Sequence, residues 1–191
     1  MTAAQAATLS VIKIGGGIAG IPGALERVCA AVCAAACEHR ILVVPGGGTF
    51  AEAVRQFDQS FGLSPHAAHW MAILAMDQYA HVLAHRMPGA LLIEEPGSVL
   101  ESSKPGRVTV LAPSRWMRSA DVLPHSWEVS SDSIAAFVAG ALDAARLILI
   151  KPSSDLAEPL DPYFATALPA RLPHSVLGCD RLDRLAAILT G

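Results

Sequence analysis

Two segments of this chain share one pattern: a short apolar strand, three consecutive glycines, then a helix. Leu9–Ile14 ends in Gly15-Gly16-Gly17, and Ile41–Val44 ends at Pro45 and Gly46-Gly47-Gly48. A four-residue apolar run closed by proline suits a strand buried on both faces. Parallel strands joined through helices put their carboxyl ends on one side of a sheet, and ligands bind there. Glycine tolerates positive φ and lets a ligand come close to the backbone. Consecutive backbone N–H groups then form an anion nest, and the start of the following helix adds positive potential. Lys13 places a charge beside the same mouth. Neither the Walker A pattern nor the Rossmann fingerprint is present. The plainer alternative is a pair of tight strand-to-helix turns.

The remaining sequence keeps alternating strand and helix. Pro22–Glu38 reads as a helix with proline in its first turn, and Thr49 is placed to cap a helix running to about Phe57. Pro65 to about Met87 reads as a longer helix, Ala90–Ile93 and Arg107–Leu111 as short strands, Ser131–Ala145 as a helix and Leu147–Ile150 as a buried strand. The tail is rich in proline, with a closing helix over Arg181–Leu189. The expected fold is an α/β three-layer sandwich with a mainly parallel central sheet, as a single domain over residues 1–191.

Composition narrows the function classes. The net charge is −3 and charged residues are 16% of the chain, so no basic face for nucleic acid is expected. Apolar runs are too short to span a bilayer. Met1–Ser10 carries no basic residue and does not read as a secretory signal, which makes the cytoplasm the expected location. Cys29, Cys33 and Cys37 fall every fourth residue, a spacing that reads as a buried row of small side chains on a helix rather than a metal or redox set. His81 and His85 share a helix face, but two histidines make a poor zinc site, and no metal-binding residue is assigned.

A strand ending Lys13-Ile14-Gly15-Gly16, a second ending Val44-Pro45-Gly46-Gly47-Gly48, and Ser130-Ser131-Asp132-Ser133-Ile134-Ala135 at a helix start resemble, in that order, the amino-acid kinase superfamily. The likeness covers most of residues 9–151. Two further stretches, Leu123–Asp132 and Ala68–Tyr79, resemble the branch that includes the aminomethylfuran-phosphate kinase of methanofuran biosynthesis; related one-carbon carriers occur in methylotrophs.

The resemblance implies a set of roles. Lys13 would stabilise the transferring phosphoryl group, and Asp132 would orient catalytic lysine. Gly15, Gly16 and Gly17 would line the ATP phosphates; Gly46, Gly47 and Gly48 would hold the acceptor. Mg2+ would ride on the nucleotide. His69 stands where uridylate kinases carry an acidic residue, which argues against a ribose acceptor. His125 and Trp127 would line an aromatic substrate pocket; the alternative for Trp127 is ordinary packing, and for His69 and His125 a surface or satisfied core histidine. The family's second lysine, in a Gly-Gly-Met-x-x-Lys segment, is missing, and its Thr-Asp-x-x-Gly loop reads Lys151-Pro152-Ser153-Ser154-Asp155-Leu156. The nucleotide half thus reads as trimmed. Lys151 is the candidate replacement for phosphate binding, with Arg171 a second; the alternative is a Lys151 that points to water. The implied function is ATP-dependent phosphorylation of a small phosphorylated acceptor by a homo-oligomer. The competing reading is a non-catalytic homologue that binds an anionic ligand or serves as a partner subunit.

Overall fold

In the computed structural model, which describes residues 8–153 and 160–190, β1 (Leu9–Ile14) lies at the middle of a parallel sheet. It pairs with β2 (Arg40–Pro45) on one side and β5 (Arg146–Lys151) on the other. Beyond β2 come β4 (Thr109–Leu111) and β3 (Leu91–Ile93); beyond β5 comes β6 (His174–Gly178). The order is β3-β4-β2-β1-β5-β6, with every pair parallel. From β1 the chain first moves towards β2, and it later returns to place β5 on the opposite flank. Such a reversal opens a crevice at the carboxyl ends of adjacent strands. The glycine triplets sit beside it.

Alternation along the strands divides the core into two layers. Ile12, Ile14, Ile41, Val43, Ile148 and Ile150 pack against α1 (Ala24–Ala36) and α8 (Leu185–Thr190). Leu9, Val11, Leu42, Val44, Leu147 and Leu149 face α6 (Ser131–Ala141), with α5 (Ser114–Ala120) and α7 (Phe164–Ala167) on the same side. The long α3 (Pro65–Arg86) joins both layers: Trp70, Ile73 and Met76 belong to the second, Tyr79, Ala80 and Leu83 to the first. That double packing explains why α3 is apolar on more than one side. Ser64 caps it by accepting from the Ala67 N–H, and Pro65 opens it. α2 (Gly48–Phe61) buries no side chain and forms an outer wall beside α3.

Several expectations need correction. The helix foreseen over Pro22–Glu38 starts at Ala24, and a 3-10 turn over Gly16–Gly20 separates it from the first triplet. The first triplet therefore does not open directly onto an α-helix. Thr49 is not a cap: α2 starts after Gly47 with no side-chain cap. The cysteine row is only partly buried, because α1 ends at Ala36; Cys29 is inside, Cys33 half-buried and Cys37 exposed. β6 and the short helices α4 (Pro96–Ser102) and α5 were not foreseen. β6 is an edge strand whose first three residues are largely open, so it lacks the apolar run that marks a central strand. Ser154, Asp155 and Leu156, and Met1 to Ala7, lie outside the described residues. Among the described residues no helix is long and apolar enough to cross a membrane.

Candidate active site

Strand alternation decides where the lysines go. Lys13 has the parity of Leu9 and Val11, and Lys151 that of Leu147 and Leu149. Both therefore project onto the face covered by α6. β1 and β5 pair with Lys13 opposite Leu149, so Lys151 stands one step further towards the crevice. On α6, Asp132 occupies the first turn and points between them. Lys13 Nζ lies 2.7 Å from Asp132 Oδ1, and Lys151 Nζ donates to Oδ2 at 2.6 Å. The side chains of Lys13, Lys151 and Asp132 are only 5%, 8% and 3% exposed. Lys151 does not point to water.

This is a buried cluster of two cations and one anion, with a net charge of +1. Burial pulls the Lys13 ammonium below its ordinary range; Asp132 opposes that pull and Lys151 adds to it. Burial alone would raise the Asp132 carboxyl, but the charges and hydrogen bonds of the two lysines outweigh it and hold the group below its usual range. A surplus positive charge in a low-dielectric crevice attracts an anion, and phosphate is the anion that lysine point charges serve well.

The glycine triplets meet next to this cluster. The Gly15 N–H donates to Ile150 O at 2.8 Å, and the Gly46 N–H to Ile14 O at 2.8 Å, so the sheet ladder continues into both loops. A Cβ on Gly16 would fall 2.0 Å from Gly48 N, and one on Gly46 2.4 Å from Gly16 N. Backbone fits against backbone there. Within the triplets only Gly48 takes a positive φ, of 57°. Close approach, more than left-handed backbone, is what demands glycine at these turns. Gly16→Ala should therefore force the loops apart and lower stability by about 1–3 kcal/mol, as overpacking does. An unchanged urea midpoint in that variant would show that the loops part freely.

Beyond the triplets opens a cavity of about 640 Å³. Gly16, Gly17, Gly47 and Gly48 line its inner end, and His69, His125 and Trp127 its wall. Gly15, Gly46 and the Lys13–Asp132–Lys151 cluster are not on the lining, whereas Ser130 and Ser131, next to Asp132, are. His69 and His125 stack with ring centroids 4.3 Å apart. His125 Nε2 meets Asp121 Oδ1 at 2.8 Å, and its Nδ1 meets His66 Nδ1 at 3.1 Å. A neutral His125 that donates to Asp121 accepts from His66. Burial, then the neighbouring His125 and His66, push His69 down to about 4, against the pull of Asp121. His69 is thus a neutral ring at physiological pH. The Trp127 indole N–H donates to Asp58 Oδ2 at 2.7 Å, and the Arg55 guanidinium lies 4.3 Å from the Trp127 ring centroid. Arg55 and Asp58 both come from α2, so they tie this wall to the loop that carries Trp127.

Arg171 is exposed beyond α7, and His81 and His85 are exposed on α3. Sequence reasoning passed over Asp58, Arg55, His66 and Asp121. It also missed Asp161, which accepts hydrogen bonds from Ser130 and Ser133 at the start of α6. Asp161 comes after β5 in the chain, and no local pattern links it to Asp132. Among the described residues no cluster of three or more His, Cys, Asp or Glu is placed to hold a metal ion.

Comparison with known proteins agrees with this geometry. The sequence profile of the amino acid kinase family matches residues 8–155. A [5-(aminomethyl)furan-3-yl]methyl phosphate kinase of Methanocaldococcus jannaschii is 29% identical over 110 residues, which are 58% of this chain and 50% of that protein. The match thus spans about half the length of that relative. Among solved structures, uridylate kinase from Archaeoglobus fulgidus superposes with a TM-score of 0.72 at 16% identity, covering 96% of each chain. UMP kinase from Bacillus anthracis gives 0.71 at 12% identity over 94% of this chain and 92% of the other. These structural likenesses establish the fold. With a sheet of parallel strands, glycine loops at its crevice and a profile match over most of its length, the chain belongs to the amino acid kinase family.

Proposed function

We propose that this chain is a small-molecule kinase that transfers the γ-phosphoryl group of ATP to a phosphorylated aminomethylfuran-type acceptor. The observation that carries the reading is the buried Asp132 carboxylate holding both Lys13 and Lys151 at the crevice. Lys151 thereby stands in for the lysine that the sequence lacks in its usual segment. In the reaction an oxygen of the acceptor phosphate attacks the γ-phosphorus, the bond to the ADP oxygen breaks, and a diphosphate and ADP result. A phosphate acceptor is mostly deprotonated at pH 7, because its second pKa is near 6. The step then needs no general base. That suits a site where, among the described residues, the buried carboxylate beside the lysines is Asp132, already paired with both.

Gly15, Gly16 and Gly17 border the donor phosphates in this reading, and Gly46, Gly47 and Gly48 hold the acceptor phosphate. Lys13 and Lys151 neutralise the charge that spreads over the oxygens in flight. Mg2+ riding on the nucleotide phosphates would supply further neutralisation. The His69–His125 stack and the Trp127 face present flat π surfaces to a flat heterocycle. Asp58 on the same wall supplies negative charge for an aminomethyl group, while Glu52 beside it pairs with Arg55 at 3.6 Å. The relative's name supports that acceptor class, and one-carbon cofactor biosynthesis in the cytoplasm is the corresponding setting. A homo-oligomer completes the reading. α3 is largely occupied within the chain, and exposed Phe57 and Phe61 on α2, with Leu74 on α3, form apolar surface open to a second copy. Light scattering at the monomer mass of 19.9 kDa would dismiss that contact.

The test is purified protein with ATP, Mg2+ and [5-(aminomethyl)furan-3-yl]methyl phosphate, read as ADP and diphosphate product. Trp127→Ala should raise the acceptor KM about tenfold or more with kcat little changed, since stacking contacts act on binding. No ATP binding, with or without Mg2+, would replace the kinase by a non-catalytic anion-binding homologue.

A further inference from the structure

We propose that Asp161 is a positioning residue for phosphoryl transfer, fixing Asp132 and, through it, both lysines; the inference rests on the kinase reading above. Four donors converge on the Asp161 carboxylate. Oδ2 accepts from the Ser130 N–H at 2.9 Å, the Ser130 hydroxyl at 2.7 Å and the Ser133 N–H at 2.9 Å, and Oδ1 accepts from the Ser133 hydroxyl. Ser130 and Ser133 bracket Asp132, and the Ser130 hydroxyl in turn accepts from the Asp132 N–H at 3.3 Å. The backbone on both sides of Asp132 is therefore fastened to one distant carboxylate.

An N-cap alone does not need this arrangement, because the Ser130 side chain already serves as one. Asp161 adds a negative charge at a helix N-terminus and charge-assisted bonds, which are shorter and stronger than neutral ones. Asp161 is itself held in place by its neighbours. The Tyr163 N–H donates to Glu128 O at 3.3 Å, and Phe164 is buried in the α6-facing core. The geometry Asp161 protects is exacting. One Asp132 carboxylate must meet Lys13 Nζ at 2.7 Å and Lys151 Nζ at 2.6 Å together. Moving it by about an ångström loosens both lysines at once, a displacement that costs on the order of a hundredfold in rate.

The test uses the full chain and the near-isosteric Asp161→Asn. The first readout is acylation of lysines by an amine-reactive acetyl ester, followed by peptide mass spectrometry. In the wild type, buried Lys13 and Lys151 are protected relative to exposed Lys104. In Asp161→Asn their labelling relative to Lys104 should rise about tenfold, as all four converging bonds lose their charge assistance and one acceptor oxygen becomes a donor. The second readout is turnover: kcat should fall about a hundredfold with the acceptor KM little changed, because the His69, His125 and Trp127 wall is held by Asp121 and Asp58 rather than by Asp161. Ser133→Ala removes a single bond and should give a smaller rise in labelling of the same sign; it carries the test if Asp161→Asn does not fold. Lysines as protected as in the wild type, or a change in KM alone, would overturn the proposal. A wild type that transfers no phosphoryl group defeats the kinase reading, and the labelling ratio then decides by itself whether Asp161 positions the cluster.

Discussion

Replacing Lys13 by methionine should lower turnover about a hundred- to thousandfold, the loss of about 2.7–4 kcal/mol that follows removal of one preorganised donor. The fold should survive, for an electrostatic reason. Lys13, Lys151 and Asp132 carry a net charge of +1 in a buried setting. Taking away Lys13 leaves a neutral Lys151–Asp132 pair, so no orphaned charge remains, and methionine fills most of the volume. Stability at pH 7 should stay within about 1 kcal/mol of the wild type or rise. The pH dependence supplies a sign. Burial lowers the Lys13 pKa in the folded state below the ordinary lysine value. Between the folded and unfolded values the unfolded chain binds more protons, so this group makes stability rise with pH across that window. Lys13→Met should abolish that rise. Kinetics and urea midpoints from pH 7 to pH 10 measure both effects; wild-type kcat, or a loss of more than about 2 kcal/mol, would contradict the assignment.

The same residues show what a sequence tells and what it withholds. Lys13 and Asp132 were legible because each sits inside a short motif next to a predictable element. The meeting of the glycine triplets followed from two adjacent parallel strands, and the reason for glycine turned out to be loop-to-loop contact at Gly16 and Gly46 and a positive φ at Gly48. Lys151 was placed at the right strand end, but its direction stayed open. Ending the strand at Ile150 left Lys151 outside it. Counting parity through Leu147 and Leu149 to Lys151 fixes the face, and that signal was present in the sequence. Asp161 and the Asp58–Trp127 bond had no comparable signal. They join residues 28 to 31 and 69 positions apart, and such contacts depend on how whole elements pack. β6 escaped because an edge strand with open positions looks like its polar surroundings.

Replacing Asp132 by asparagine should be the most damaging single change, for both stability and turnover. Here the electrostatics run the other way from Lys13→Met. The variant leaves two ammonium groups in a buried site with no counter-charge, although both were within 2.7 Å of the carboxylate. Removing the shared partner of a buried ion cluster costs about 3–5 kcal/mol. The lysines relieve that cost by losing protons, as buried lysines do when unpaired. The instability should therefore be greatest at low and neutral pH and should ease as pH rises. In the wild type, Asp132 acts with the opposite limb. Its folded pKa is held below the ordinary carboxylate value by the two lysines, so its contribution is complete above that ordinary value and disappears as pH falls through the folded one. Asp132→Asn should lack this acid limb. Adding Lys13→Met to Asp132→Asn removes one of the stranded charges and should restore part of the lost stability, while turnover stays low. Urea unfolding of wild type, both single variants and the double variant from pH 5 to pH 9 measures the coupling directly. Strict additivity of the two substitutions would mean that Lys13 and Asp132 are not energetically linked, and the shared-carboxylate account of the site would then fail.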